Sequence, residues 1–357
     1  MALREPWDAL LTHAIDNTPF LTHEWLTAWW GAFGSQRSMY IVTVWHGEQL
    51  VAVAPLAYTN QRRFGAARTV ITFMANEHSN RANFVVGDRP REALGAILDH
   101  LLTAAPRWDL MELEPLHEQS PVTQAFLEIL ASRSQLFGIE ESLRSPYLNL
   151  PDTWTNLRSE LGPTFRKALD RKLRKAGQSG SALRVVISAD TSDLTKVFDI
   201  STESWQHAAG TGVGSEGARR FYRELAFKAA QRDWLRLAIL EFDDLPISFQ
   251  YNLLYNEVLY NLKLEYRHRF EALSPGLVLQ AHVLQDLIRD GAREYDFLGT
   301  DDPYKLHWSR TLRVHHRLVV FTNRLDLRVA HFVLCRLKPY LKARFPLLVA
   351  IKRGLFP

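Results

Sequence analysis

Two rhythms of apolar residues alternate along the 357-residue chain, and their order repeats once. A period near 3.6 marks a helix with one buried face, and a period of two marks a half-buried strand. In the first half, helical spacing covers residues 7–33, with a break at Thr18-Pro19. Two β-rich runs at 39–45 and 50–58 then flank His46-Gly47-Glu48, a hairpin signal. Strands come next at 70–74 and 84–86, then a helix at 91–105, a strand at 108–113, a helix at 120–134, and short strands at 137–143 and 147–150. The second half is predicted to hold helices at 164–176, 193–207 and 216–231 and strands at 235–242, 246–254 and 257–264. A helix opening on Ser274-Pro275-Gly276, a strand at 294–298 and a last strand at 314–321 complete it.

One set of parts, an apolar hairpin, a helix and a strand ending in acids, occurs twice: WDLMELEP at 108–115 and REYDFLGTDD at 293–302. The expected fold class is therefore mixed α/β, built from two copies of one unit. The units would span 1–150 and 151–325, meeting near Pro151, each a mixed, mainly antiparallel sheet flanked by helices. Residues 326–357 would form a basic amphipathic tail.

Composition changes this picture little. The hydrophobic fraction of 46% and charged fraction of 23% are those of an ordinary globular protein. A single cysteine, Cys335, excludes internal disulfides, cysteine-based zinc clusters and a redox pair. No metal site is expected: His315 and His316 are adjacent in a strand and point to opposite faces. No run has the length of a membrane span, and the first residues lack a signal-peptide core, so a cytoplasmic location is expected. Net charge is only +4, but its distribution is uneven. Arg166, Lys167, Arg171, Lys172, Arg174 and Lys175 crowd one helix, and after Asp326 seven Lys/Arg occur without an acid. Either cluster could face phosphates, anionic lipid or simply solvent.

Chemistry concentrates between Glu271 and Trp308. Ser274 is placed to N-cap the helix, Pro275 suits its first position, and Gly276 lets an anion approach the amides near Leu277. Arg267, His268 and Arg269 lie just upstream, so a phosphorylated cofactor is expected to dock here. Lys305, between Tyr304 and Trp308, is the leading candidate to stabilise an oxyanion, since aromatic neighbours exclude water. Replacing it by Met is expected to leave the fold intact and to slow turnover. Asp301 and Asp302 sit at a strand's C-terminal end, with Asp302 ranked first as base; Asp296 faces the cleft or caps the sheet. Trp205 and His207 precede a Gly210–Gly214 loop that would close over an acceptor. A helix rather than a strand comes before that loop, so a dinucleotide fingerprint fails. The polar loop 76–81 would either help recognise an acceptor or be a solvated turn.

The Ser-Pro-Gly helix, the strand at 294–298 and the run Gly-x-Asp-Asp-Pro-Tyr-Lys-x-x-Trp resemble acetyltransferases of the GNAT superfamily associated with bacterial cellulose and exopolysaccharide synthesis. These are relatives of the Fem-type peptidoglycan bridge transferases. Thr18-Pro19-Phe20-Leu21, Glu24-Trp25-Leu26, Trp29-Trp30, the basic helix and 260–266 extend the likeness over roughly residues 5–320. The resemblance implies two GNAT-like units and transfer of an acyl group from acyl-CoA, chiefly acetyl-CoA. The acceptor it implies is an amino sugar, nucleotide sugar or related glycan precursor. Lys305 would contact the donor carbonyl, with Tyr304 and Asp302 beside it. Arg267, Arg269 and residues 274–277 would bind the cofactor, and Lys263, Trp205, His207, Asp301 and Trp308 the substrate. Lys263 matches a lysine common in the family, but Arg267 stands where an aspartate is usual. Two other readings stay open. In one, the chain is a Fem-type transferase whose basic helix tracks charged tRNA. In the other, it is a non-catalytic accessory of an envelope synthase, held peripherally at the inner membrane by its tail.

Overall fold

The computed structural model describes residues 3–178, 183–204, 206 and 212–337. Its first strands are β1 (Ser38–His46), β2 (Gln49–Arg63), β3 (Ala66–Phe73), β4 (Val85–Val86), β5 (Leu110–His117) and β6 (Leu136–Asn149). The remainder are β7 (Leu183–Ser188), β8 (Leu235–Phe242), β9 (Leu245–Tyr255), β10 (Val258–Tyr266), β11 (Glu294–Asp296) and β12 (Leu312–Phe321). They join into one mixed sheet of order β1-β2-β3-β5-β12-β6-β11-β10-β9-β8-β7, with β4 on β2. Helices flank the sheet, so the mixed α/β class expected from the pattern is the one observed.

The internal repeat has a structural counterpart. β1, β2 and β3 are antiparallel neighbours, and a crossover through helix Pro90–Thr103 brings β5 parallel to β3. β8, β9 and β10 are likewise antiparallel, and helix Pro275–Arg289 brings β11 parallel to β10. These two crossovers need a helix because parallel neighbours cannot be joined by a tight turn.

Past each parallel strand the chain departs from the expected arrangement. The pattern suggested two short strands at 137–143 and 147–150; the chain forms one, β6. Its upper part pairs with β12 and its last residues with β11 of the second half. The strand at 314–321, expected to complete the second unit, inserts between β5 and β6. Each half thus donates its last strand to the other's parallel strand, an exchange that makes the sheet continuous. Helix Trp154–Glu160 and edge strand β7 were not anticipated, and the helix expected over 193–207 is observed as Leu194–Thr202.

Each half has its own apolar core, and a further cluster binds them. Helix His23–Phe33 packs on helix Glu216–Ala230 of the other half, with the Trp25 and Phe221 rings 5.1 Å apart. Thr22 and Ser215 start these helices by accepting the Trp25 and Ala218 amides. Trp25 and Trp29 are wholly buried there, and burial of side chains this size is worth at least ~2–3 kcal/mol each. The tryptophans of this cluster are therefore structural.

Candidate active site

β10 and β11 run side by side only over three residue pairs, Val258–Glu294 to Tyr260–Asp296. Beyond them β10 continues with a bulge between Asn261 and Lys263, while the chain after Asp296 turns away through Leu298 and Gly299, both at positive φ. Parallel strands that part in this way open a crevice at their C-terminal ends, where α/β sheets gather ligands. Here the crevice widens into a cavity of about 1040 Å³ between the halves. Residues 261–264, Gly299, Asp302, Tyr304 and Lys305 line it from one side, and Arg37, Thr72, Glu77, Asn80 and Glu114 from the other.

Lys305 is buried at the first turn of a short helix, Pro303–Leu306. Its ammonium donates to the Leu298 and Thr300 carbonyls (2.9 and 3.0 Å) and pairs with Asp302 at 2.9 Å. A lysine has three N–H bonds, so all are engaged. Burial lowers its pKa, opposed by the Asp302 contact. Gly299 is required beside it, since its φ is +60° and a Cβ there would lie 3.1 Å from the ammonium. Lys305 thus folds the 298–302 turn as well as facing the cavity. Asp302 is held by Lys305 and by the Thr300 hydroxyl at 3.0 Å. Tyr304 lines the cavity with its ring half exposed; Asp301 is exposed and outside the lining. Trp308 turns the other way, packing on Phe165 at 5.1 Å in the second-half core, so the water-excluding role expected of it is not available.

The helix start also differs from expectation. Pro275 occupies the first turn as anticipated, but Ser274 adopts a left-handed conformation (φ 54°) and its side chain caps nothing. The Leu277 and Val278 amides both donate to the Ser274 carbonyl. Fewer amides can therefore be offered to an anion than the sequence suggested, and Gly276 becomes the most favourable one. A Cβ at Gly276 would meet Leu264 and Tyr266 only at ordinary contact distance. Arg267 is withdrawn from any phosphate: it is buried, donates to the Pro246 carbonyl at 2.7 Å and pairs with Glu203. Arg269 stays exposed, 3.7 Å from Glu203, and Lys172 of the basic helix Pro163–Gln178 donates to the Ala272 carbonyl. Lys172 thus stands beside the helix start, and Arg269 lies on the turn His268–Leu273 that leads into it.

Lys263 lines the cavity, and burial lowers its pKa against the pull of Glu265 and Glu77. Glu265 itself is wholly buried, accepting from Ser201, Ser204 and the Val213 amide. Gln206 donates to the Leu264 carbonyl. Trp205 and His207, expected to meet substrate, lie outside the described residues, as does part of the Gly210–Gly214 loop.

The polar loop 76–81 is a structural clamp rather than a solvated turn. Asn76 accepts from Trp29 and from the His78 amide, and Asn80 accepts from the Gly299 amide across the groove. Arg81 and Asp296 form a buried ion pair at 2.8 Å, so Asp296 joins the halves instead of facing the cleft. His78 stacks on Phe33, and burial, with the Lys263 charge nearby, pulls its pKa down to about 4. Sequence reasoning missed Arg37 and Glu114, whereas Glu77 and Asn80, which line the cavity, belong to the loop it named. The repeat carried a signal for Glu114, which lies near the end of the run 108–115 as the Asp301-Asp302 pair does in its counterpart 293–302. Half of the Glu114 side chain is exposed; partial desolvation raises its pKa, opposed by Arg317. Arg37 rests over the Trp29 ring at 5.3 Å, and burial lowers its pKa.

Residues 163–306 match the family described as acetyltransferase (GNAT) domain. That span runs from the basic helix to just past Lys305, and the match makes the protein an acyltransferase whose second half is similar to that family. Among solved structures the chain is similar to FemX (12% identity, 92% of this chain and 98% of that one, TM-score 0.61). It is also similar to L-PGS from Bacillus licheniformis (11%, 93% and 96%, TM-score 0.52). A third likeness is to the C-terminal domain of a putative lysylphosphatidylglycerol synthetase from Agrobacterium fabrum (12%, 85% and 88%, TM-score 0.51). At such identities these likenesses speak for the fold. No curated protein matches the sequence.

Proposed function

We propose that the enzyme transfers an acyl group from acyl-CoA to an amine or hydroxyl of a polar glycan precursor held between the two halves. The observation that carries this reading is the parting of β10 and β11 beside a helix start, opening directly into the large two-sided cavity. The donor's diphosphate would lie at Gly276, with Arg269 and Lys172 offsetting its charge, and its thioester arm would run along the gap between the strands. The acceptor nucleophile attacks the thioester carbonyl, the thiolate leaves, and the acceptor's proton passes to a base. Glu114 suits that task better than Asp302: it lines the cavity with Arg317 only at 3.9 Å and half its side chain accessible, whereas the Asp302 carboxylate is engaged by Lys305 and Thr300. Lys305 fixes the turn beneath the reacting carbonyl and acts as a positioning residue. Arg37 and Lys263 give the cavity cations suited to a phosphorylated or carboxylated acceptor, such as a nucleotide sugar.

Glu114→Gln tests the reading. It should lower kcat on acetyl-CoA and an amino-sugar acceptor by about a hundredfold and remove the acidic limb of the pH profile. An unchanged profile would remove Glu114 from the reaction. The FemX-like fold supports a second reading, in which the donor is an aminoacyl-tRNA tracked by the basic helix Pro163–Gln178. Salt-sensitive binding of charged tRNA without binding of coenzyme A would favour it.

A further inference from the structure

The helix Leu325–Phe332, continued by a π-helical turn Val333–Leu337, has two apolar faces. One is buried: Leu327 packs with Val70, Leu110 and Phe321, joined by Ala330, Leu334 and Cys335. The other faces outward, with Leu325 79%, Val329 57%, Phe332 58%, Val333 40% and Leu337 39% exposed. The first four recur at the spacing of one helix face, a continuous stripe that a solvated helix does not carry. A second apolar element stands beside it. Phe64, 46% exposed at the tip between β2 and β3, comes after Arg62 and Arg63 and lies 6.3 Å from the Phe321 ring. Phe321 in turn touches His331 of the helix at 5.4 Å.

Charge selects the partner. Exposed cations stand beside the stripe: Arg328 and Arg336 on the helix itself and Arg62 at the β2–β3 tip. The one acid of the helix, Asp326, is neutralised by Arg68 at 2.6 Å and by Arg324. No helix among the described residues is long and apolar enough to cross a membrane. We propose that this face docks on an anionic lipid surface, with the stripe and Phe64 inserted among the acyl chains and the cations at the headgroups. This surface is separate from the cavity, and the proposal stands or falls independently of the reaction.

The test is co-sedimentation of the full chain with vesicles of phosphatidylcholine alone and of phosphatidylcholine mixed with phosphatidylglycerol. The protein should pellet with the mixed vesicles at low salt and stay in the supernatant with the neutral ones. The triple variant Leu325→Glu, Val329→Glu, Phe332→Glu should weaken partitioning at least about tenfold without changing the melting temperature, because those side chains touch solvent. Phe64→Glu, far away in sequence, should weaken it less and guards against a folding artefact in the triple variant. Failure of the unaltered chain to bind the mixed vesicles overturns the proposal, as does undiminished binding by both variants. So does a dimer on gel filtration that the triple variant dissociates while vesicle binding persists.

Discussion

Removing either partner of the Arg81–Asp296 pair should cost more stability than any surface ion pair in this protein. Both side chains are buried, and the closest contact is 2.8 Å. At an effective dielectric near 20, that separation corresponds to about 6 kcal/mol of attraction, most of it offset when the pair was taken from water. Breaking such a pair strands the survivor and typically costs ~3–5 kcal/mol. Asp296 also accepts the Leu298 amide at 2.9 Å and faces Arg313 at 3.3 Å. Arg81→Ala leaves the carboxylate partly neutralised by Arg313, so its cost should fall near the lower figure. Asp296→Ala leaves Arg81 only the Ser145 hydroxyl and the Asn80 carbonyl, so its cost should fall near the upper one. Urea unfolding followed by tryptophan fluorescence reads both, and the double variant should lose at least ~1 kcal/mol less than the sum of the singles. Losses below about 1 kcal/mol, or strict additivity, would refute the view that this pair fastens the two halves.

Other consequences are open to direct measurement. Lys305→Met should destabilise the protein by roughly 2–3 kcal/mol, contrary to the expectation from sequence, because two carbonyls and Asp302 lose their donor; an unchanged urea midpoint would contradict this. Gly276→Ala should leave stability the same or raise it by about 0.5 kcal/mol, yet diminish the thermal shift given by acetyl-CoA. His78 titrates near 6.5 when unfolded but only at about 4 when folded, through burial and the Lys263 charge. The unfolded chain then binds more protons between those values, so stability is full above pH 6.5 and falls as pH drops toward 4. The effect is of order 2–3 kcal/mol. His78→Gln should flatten that slope, and an unchanged acid limb in urea titrations would exclude His78 as its source.

Most helices and most strands were legible because their apolar spacing is local. The Pro275 helix was equally clear, since Pro at the first turn acts within a few residues. β7 escaped notice because it is a half-exposed edge strand without strong alternation. The exchange of β6 and β12 was invisible for a different reason. Both strands read as ordinary ends of their own half, and nothing in a single strand's pattern names a partner more than a hundred residues away. Arg267 shows the same limit at the site. It seemed free to meet phosphate until Glu203, 64 positions earlier, proved to hold it. The loop 76–81 reads as a surface turn in sequence because its polar groups find partners only in tertiary structure.

Titration of the full chain with acetyl-CoA by calorimetry or thermal shift tests the central claim most directly. The account predicts saturable one-to-one binding, and at a hundred times the dissociation constant a stabilisation of about 2.7 kcal/mol. It also predicts that Arg269→Ala combined with Lys172→Ala weakens binding, while Arg267→Ala, already committed to Glu203, does so only through stability. Absence of binding by acetyl-CoA, alongside salt-sensitive binding of charged tRNA, would contradict it.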